Sequence, residues 1–185
     1  MPIDYKKLFP QETEEQNSKI ILPSHISSIQ DVELILSQVT DPEIPVINIV
    51  ELGILRRVER VNDVFEIEIT PTYVGCPAMG VIEMNIKAIL DTYQGIKYKI
   101  ITKLSPPWTT AWLSEQGKQK LKNYGIAPPL EQKRIQKLFE GQGQITCPRC
   151  NSVHTSLISE FGSTACKSMY KCNDCLEAFD YFKCH

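Results

Sequence analysis

The sequence lacks the long apolar runs and the excess of basic charge that mark membrane proteins and nucleic-acid-coating proteins. No apolar run in its 185 residues approaches the roughly 20 residues needed to span a bilayer. The first residues also lack the apolar segment of a secretory signal. The formal net charge is −2 at pH 7, with 20 basic and 22 acidic side chains. We therefore expect a cytoplasmic protein that binds neither membrane nor nucleic acid.

Histidine is also scarce, and its absence from most of the chain limits the possible catalytic chemistry. The chain has 3 histidines, and none lies within residues 26–153. A Cys–His nucleophile pair is therefore not available there, and no Ser/His/Asp set, phosphate-binding glycine loop or His-Glu-x-x-His motif is visible. The sequence contains no self-sufficient catalytic constellation, so we expect a protein that is not an enzyme in its own right.

Composition and patterning divide the chain into four segments. We expect a flexible polar arm over residues 1–25, an α+β domain over residues 26–128, a basic linker over residues 129–144 and a zinc ribbon over residues 145–185. The domain should hold a small mixed sheet with helices on one face, and the ribbon should be rich in β-structure. The predicted elements are a helix after Ser28, strands over Leu52–Val61, Val64–Thr70 and Ile96–Leu104, a helix after Gly80 and a helical region from Thr109 to Tyr124.

Cysteine is abundant, and its clustering is the main organisational fact of the sequence. Of 7 cysteines, all but Cys76 lie in residues 145–185. An odd number of cysteines in a reducing compartment favours metal ligands or thiols over disulfides. The paired motifs Cys147-x2-Cys150 and Cys172-x2-Cys175 predict a four-thiolate metal site. Zinc is the expected ion, although four thiolates also bind a single iron, as in rubredoxin, or an iron–sulfur cluster.

The cysteines outside the pairs have more than one interpretation. Cys76 lies just before a predicted helix, where it could be a reactive thiol, a soft-metal ligand or a small buried side chain. The acidic loop at Asp41 and Glu43 could face it; carboxylates raise a thiol pKa, which suits metal handling better than covalent catalysis. Cys166 and Cys184 could replace a ligand, form a second transient site or simply pack, and their spacing favours packing.

Several motifs of the first domain resemble the iron–sulfur cluster assembly family that includes SufT. They are Asp41-Pro42-Glu43-Ile44-Pro45, the stretch from Asn48 to Ile54, Thr70-Pro71-Thr72 and Gly75-Cys76-Pro77. Further motifs extend the resemblance to the PaaD family of the phenylacetate-degradation pathway. They are Ser105-Pro106-Pro107-Trp108, Ile126-Ala127-Pro128-Pro129, the stretch from Phe161 to Lys167 and that from Asp180 to Cys184.

This resemblance implies an accessory or maturation factor for the multicomponent phenylacetyl-CoA epoxidase. It implies that Cys76, with Asp41 and Glu43, transiently holds iron or an iron–sulfur cluster, while the zinc ribbon serves as a docking scaffold. The implied partners are the oxygenase or reductase components and iron–sulfur assembly proteins. Two alternatives stay open: a nucleic-acid-binding zinc-ribbon protein, for which the lysines around the linker would be the contact, and a rubredoxin-like electron carrier.

Overall fold

Two small sheets organise the part of the chain that the computed structural model describes, residues 22–130 and 145–183. Most of the predicted arm, most of the predicted linker and Cys184 lie outside the described residues. The first sheet has the order β1-β2-β3 and the second has the order β4-β7-β6-β5. The strands are β1 (Leu55–Val61), β2 (Val64–Ile69), β3 (Tyr98–Thr102), β4 (Ile126–Ala127), β5 (Thr155–Ser159), β6 (Lys167–Cys172) and β7 (Ala178–Phe182).

Within residues 22–130, three α-helices accompany the first sheet: α1 (Ile29–Leu36), α2 (Ala78–Leu90) and α3 (Glu115–Tyr124). The predicted α+β class, with a small mixed sheet followed by a β-rich module, is confirmed. Strand β2 pairs antiparallel with β1 and parallel with β3, so α2 is the crossover between two parallel strands. None of the helices in the described ranges is long and apolar enough to cross a membrane.

The hairpin between β1 and β2 follows directly from its sequence. Asn62 and Asp63 have φ angles of 48° and 60°, the left-handed pair that a tight two-residue hairpin turn requires. Along β2 the side chains alternate between buried and half-buried, as the period-2 pattern predicted. Strand β1 begins at Leu55, later than the predicted Leu52, because the chain turns at Gly53 with φ 73°. A Cβ there would lie 2.6 Å from the backbone oxygen of Trp112.

Helices α1 and α2 begin at positions that place the acidic loop and Cys76. Ser28 caps α1 by accepting a hydrogen bond from the Asp31 N–H at 3.1 Å. Helix α2 begins at Ala78, three residues before the predicted start after Gly80, because Pro77 already has helical φ and ψ. Val81, in the first turn of α2, is 38% exposed. The earlier start leaves Cys76 in the last turn before the helix.

The two sheets are connected by strand pairing and by a common buried cluster. Strand β4, which immediately follows α3, pairs parallel with β7 and becomes an edge of the second sheet. Phe182 at the end of β7 is 1% exposed and belongs to the same buried cluster as the first sheet. Its ring meets that of Trp108 edge-on, with centroids 5.9 Å apart. The C-terminal segment is therefore packed against the N-terminal core.

Candidate metal centre and thiol site

The two Cys-x2-Cys pairs meet beside the turn between β6 and β7. All four sulfurs lie within 4.8 Å of one another. The Sγ atoms of Cys147 and Cys175 are 3.8 Å apart, and those of Cys150 and Cys172 are 3.5 Å apart. Four thiolates bound to zinc at about 2.3 Å in a tetrahedron are separated by about 3.8 Å. The four side chains therefore fit one tetrahedral metal ion with little rearrangement.

The electrostatics of this four-cysteine cluster also favour a cation. Hydrogen bonds from the backbone N–H groups of Cys175 and Asp174 lower the pKa of Cys172 to about 6. Although the Glu177 N–H donates to Cys175, desolvation and the neighbouring sulfurs raise the pKa of that thiol to about 12. Thiols packed this closely ionise together only when a positive ion compensates their charge. The cluster therefore has both the geometry and the charge of a metal-binding site.

Cys76 is held in a turn immediately before α2. Its backbone N–H donates to the carbonyl of Tyr73 at 3.2 Å, and its own carbonyl accepts from the Met79 N–H at 3.3 Å. The side chain is half-buried, and the N–H of Ala78 at the helix start hydrogen-bonds to its sulfur. Desolvation nevertheless raises the pKa of Cys76 above its ordinary value, and the charges of Glu43 and Asp41 raise it further. These effects favour the protonated thiol over the thiolate.

The acidic loop lies beside this thiol, and its two carboxylates have different surroundings. Asp41 is 6% exposed, and its Oδ1 accepts hydrogen bonds from the N–H groups of Glu43 and Ile44 at 2.8 and 2.9 Å. Burial raises the pKa of Asp41, although those hydrogen bonds and the charge of Lys167 act in the opposite direction. Asp41 thus shapes the loop, while the half-buried Glu43 carries a carboxylate into the site.

Cys166 reaches the same place from the C-terminal segment. It directly precedes β6 and is 5% exposed, so it does pack in the main core, as its spacing favoured. Its Sγ also lies 3.1 Å from Oγ1 of Thr164 and 3.9 Å from Oε2 of Glu43. Desolvation raises the pKa of Cys166 to about 11, with the charges of Glu43 and Asp41 adding to the effect. Two thiols and two carboxylates therefore share one largely desolvated site.

Three further residues of this site were not singled out as site residues from the sequence. Thr72 donates a hydrogen bond to Cys76, and Tyr73 interacts with both Cys76 and Cys166. Lys167 is 5% exposed, and its Nζ lies 3.7 Å from Oδ2 of Asp180, which makes it a buried cation beside the thiols. Thr72 and Lys167 lie in motifs that carry the resemblance, which could have marked them, and Tyr73 lies between two such motifs.

The lysines before the linker are partly engaged elsewhere. Lys118 forms an ion pair with Glu115 at 2.6 Å, and Lys120 forms one with Glu51 at 2.7 Å. The basic residues of the linker itself lie outside the described residues. In the described part of this stretch, intramolecular pairing therefore accounts for two of the lysines that the nucleic-acid alternative needs.

Two models of known families match separate parts of the chain. A family model described as an iron–sulfur cluster assembly protein matches residues 29–99. A second model, the PaaD zinc beta ribbon domain, matches residues 131–183. A protein of Escherichia coli (strain K12), provisionally named as one of the subunits of 1,2-phenylacetyl-CoA epoxidase, is 43% identical over 156 residues, which cover 84% of this chain and 93% of that protein. The chain belongs to the PaaD family.

Other relatives of this PaaD-family chain match about half of its length. An Fe-S protein maturation auxiliary factor from Porphyromonas gingivalis is 33% identical over 89 residues, which cover 47% of this chain and 84% of that protein. A domain of unknown function from Bacillus anthracis is 28% identical with a TM-score of 0.46, covering 50% of this chain and 90% of the solved one. A conserved hypothetical protein from Thermotoga maritima is 22% identical with a TM-score of 0.45, covering 54% and 97%. The resemblance indicated by the sequence motifs is confirmed.

Proposed function

We propose that this PaaD-family protein is an accessory maturation factor of phenylacetyl-CoA epoxidase. It helps to assemble or maintain the iron or iron–sulfur centres of the oxygenase or reductase component, and it works with iron–sulfur assembly proteins. The observation that carries this proposal is the meeting of the Cys76 thiol with the carboxylates of Asp41 and Glu43 at the start of α2. The names of two relatives, an epoxidase subunit and an Fe-S maturation factor, support it.

The chemistry of this thiol site suits temporary holding of iron. A protonated thiol is a weak ligand, and it becomes a strong one only when an incoming cation displaces its proton. The neighbouring carboxylates attract the cation, and the half-buried position of Cys76 leaves it open to a client protein. Val74, two residues away, is 78% exposed and gives the loop an apolar side chain for such a contact.

The four-cysteine cluster has a different role in this proposal. We assign it structural zinc, because a closed set of four thiolates leaves the ion no open position for reaction. The ribbon then serves as a scaffold that docks the client and fixes its orientation. Metal analysis should find one zinc per chain in a colourless protein. Visible absorption bands that change reversibly on reduction would instead indicate iron, as in a rubredoxin-like electron carrier.

The decisive experiment is co-expression of the epoxidase components with wild-type protein or with the Cys76→Ser variant. The variant should lower the iron content and the specific activity of the purified epoxidase several-fold, because the thiol that holds iron is gone. A Ser156→Ala variant is the matched control, since this exposed hydroxyl lies on β5 and contacts Asn173 rather than the thiol site. Full iron loading of the epoxidase with Cys76→Ser would contradict the proposal.

A further inference from the structure

The C-terminal segment supplies a second thiol to the site of Cys76. Cys166 and Cys76 both interact with Glu43 and with Tyr73, although one thiol directly precedes β6 and the other precedes α2. The Sγ of Cys166 lies 3.9 Å from Oε2 of Glu43. A sulfur and a carboxylate oxygen that bind one metal ion in a tetrahedron are separated by about 3.6 Å. This contact is therefore already close to the spacing of two ligands of one ion.

We propose that Cys76, Cys166 and Glu43 together bind one thiophilic divalent cation, with Fe²⁺ as the natural cargo. This inference rests on the proposed function and adds to it the second thiol, the coordinating carboxylate and the dependence on the C-terminal segment. Thiolates supply the soft ligands that such ions prefer, and one carboxylate adds charge without closing the coordination sphere. A fourth position stays open for a client's ligand.

The charges in the site balance when the cation binds. Each thiol loses one proton as its sulfur bonds to the metal, so two protons leave as two positive charges arrive, and no electron is transferred. Asp41 stays hydrogen-bonded to the loop backbone and holds Glu43 in place. Lys167, the basic group beside the thiols, is already paired with Asp180. It therefore offsets part of the acidic charge without occupying a ligand position.

The geometry also indicates that binding is reversible. The four cysteine sulfurs of the ribbon all lie within 4.8 Å of one another, whereas the ligand atoms of Cys76, Cys166 and Glu43 do not. Since Glu43 is already 3.9 Å from Cys166, it is the half-buried side chain of Cys76 that must rotate toward them when a cation binds. A site that requires this rearrangement should hold its ion more weakly than the four-cysteine cluster, as a carrier of cargo must.

Cys166 depends on the ribbon for its position. It directly precedes β6, and the last residue of that strand, Cys172, belongs to the four-cysteine cluster. Six residues of strand span about 20 Å, so one end of β6 is fixed by the ribbon's metal and the other carries the second thiol. Pairing of β7 with β4 and burial of Phe182 hold this segment against the N-terminal core.

The test is anaerobic titration of the reduced, zinc-loaded full chain with Co²⁺, which reports thiolate ligands through charge-transfer absorption. Wild-type protein should bind one further equivalent, with release of two protons. Cys76→Ser and Cys166→Ser should each reduce the thiolate absorption and weaken binding by more than about tenfold, since even outer-shell partners of a metal contribute about 10–100-fold. Glu43→Gln should weaken binding but keep the two-thiolate absorption. Glu160→Gln, at an exposed carboxylate, is its matched control and should bind like wild type.

Zinc content and far-UV circular dichroism establish whether each variant is folded. If Cys166→Ser fails to fold, Glu43→Gln still tests the site, because that substitution does not alter the core. Absence of a second equivalent in wild type would overturn the proposal. Absorption that persists in a Cys76→Ser/Cys166→Ser double variant would also overturn it, because it would come from exchange into the four-cysteine cluster. If wild-type protein binds cobalt as expected, but the epoxidase co-expressed with Cys76→Ser still contains its full iron, then the metal site is supported and only the maturation role is contradicted.

Discussion

Replacing Phe182 with alanine should weaken the attachment of the ribbon to the N-terminal core without touching a cysteine. The ring is 1% exposed and meets Trp108 edge-on with centroids 5.9 Å apart. Truncation of a buried phenylalanine costs about 3–5 kcal/mol, of which the aromatic pair accounts for about 0.5–1.5 kcal/mol. A domain has a total stability of about 5–15 kcal/mol, so the variant should fold but lose a large share of its stability.

Urea unfolding followed by tryptophan fluorescence measures this loss, because Trp108 lies directly against the deleted ring. Phe161→Ala is the matched control. Its ring is 62% exposed and lies 4.1 Å, measured from the centroid, from the ammonium of Lys183. We expect that control to lose less than about 1 kcal/mol. Equal losses in the two variants would refute the view that Phe182 joins the segments into one core.

The same variant should separate the two metal sites. Zinc should stay in the four-cysteine cluster, because Phe182 lies at the end of β7 that is remote from Cys172 and Cys175. Cobalt binding at Cys76 and Cys166 should weaken, because the buried ring helps to hold Cys166 beside Glu43. If zinc were lost while cobalt binding stayed normal, the inferred dependence of the thiol site on this packing would be wrong.

Two further predictions concern the backbone and the first helix. Gly53→Ala should lower the free energy of unfolding in urea by more than about 1 kcal/mol, because φ is 73° and a Cβ would lie 2.6 Å from the Trp112 oxygen. Gly95→Ala is the control, since Gly95 has a similar φ of 77° but open space around it, and it should lose less. Equal losses in the two variants would contradict the steric argument. Hydrogen bonds to the Asp31 carboxylate, of which the one from the Ser27 N–H has the largest effect, lower the pKa of Asp31 from 3.8 to about 2. The ionised carboxylate therefore stabilises the folded chain fully above pH 3.8, and this stabilisation is lost as the pH falls through 2. Asp31→Asn should therefore lower the thermal midpoint at pH 7 and flatten its decline between about pH 4 and 2; an unchanged acid decline would refute this assignment.

Features that depend on neighbouring residues could be predicted from the sequence. The hairpin follows from the alternation along Val64–Ile69 and from the turn at Asn62 and Asp63, which both adopt left-handed φ. The metal cluster follows from two short Cys-x2-Cys motifs, each of which places its sulfurs through local turn geometry. The start of α2 was predicted three residues late because Pro77 was assigned to the loop, although proline readily begins a helix.

Features that depend on distant parts of the chain could not be predicted in the same way. Neither the spacing of Cys166 nor its neighbours indicate that it lies beside Glu43, since the contact exists only after the ribbon packs on the core. The same holds for β4, whose two residues lie at the predicted end of the first domain. They form a strand because they pair in parallel with β7. Lys167 ends the motif that begins at Phe161, but the motif does not predict its burial, which depends on Asp180 in the adjacent strand.

The two cysteine sites differ in a way that explains why one protein would need both. Four thiolates around one ion form a closed site, which gives stability and leaves the ion no open position. Two thiols and a carboxylate from separate segments form an open site, which can accept a cation and pass it on. Strand β6 connects the sites, with Cys172 at one end and Cys166 just before the other. Loss of the ribbon's metal should therefore release Cys166 as well, so the closed site controls whether the open one exists.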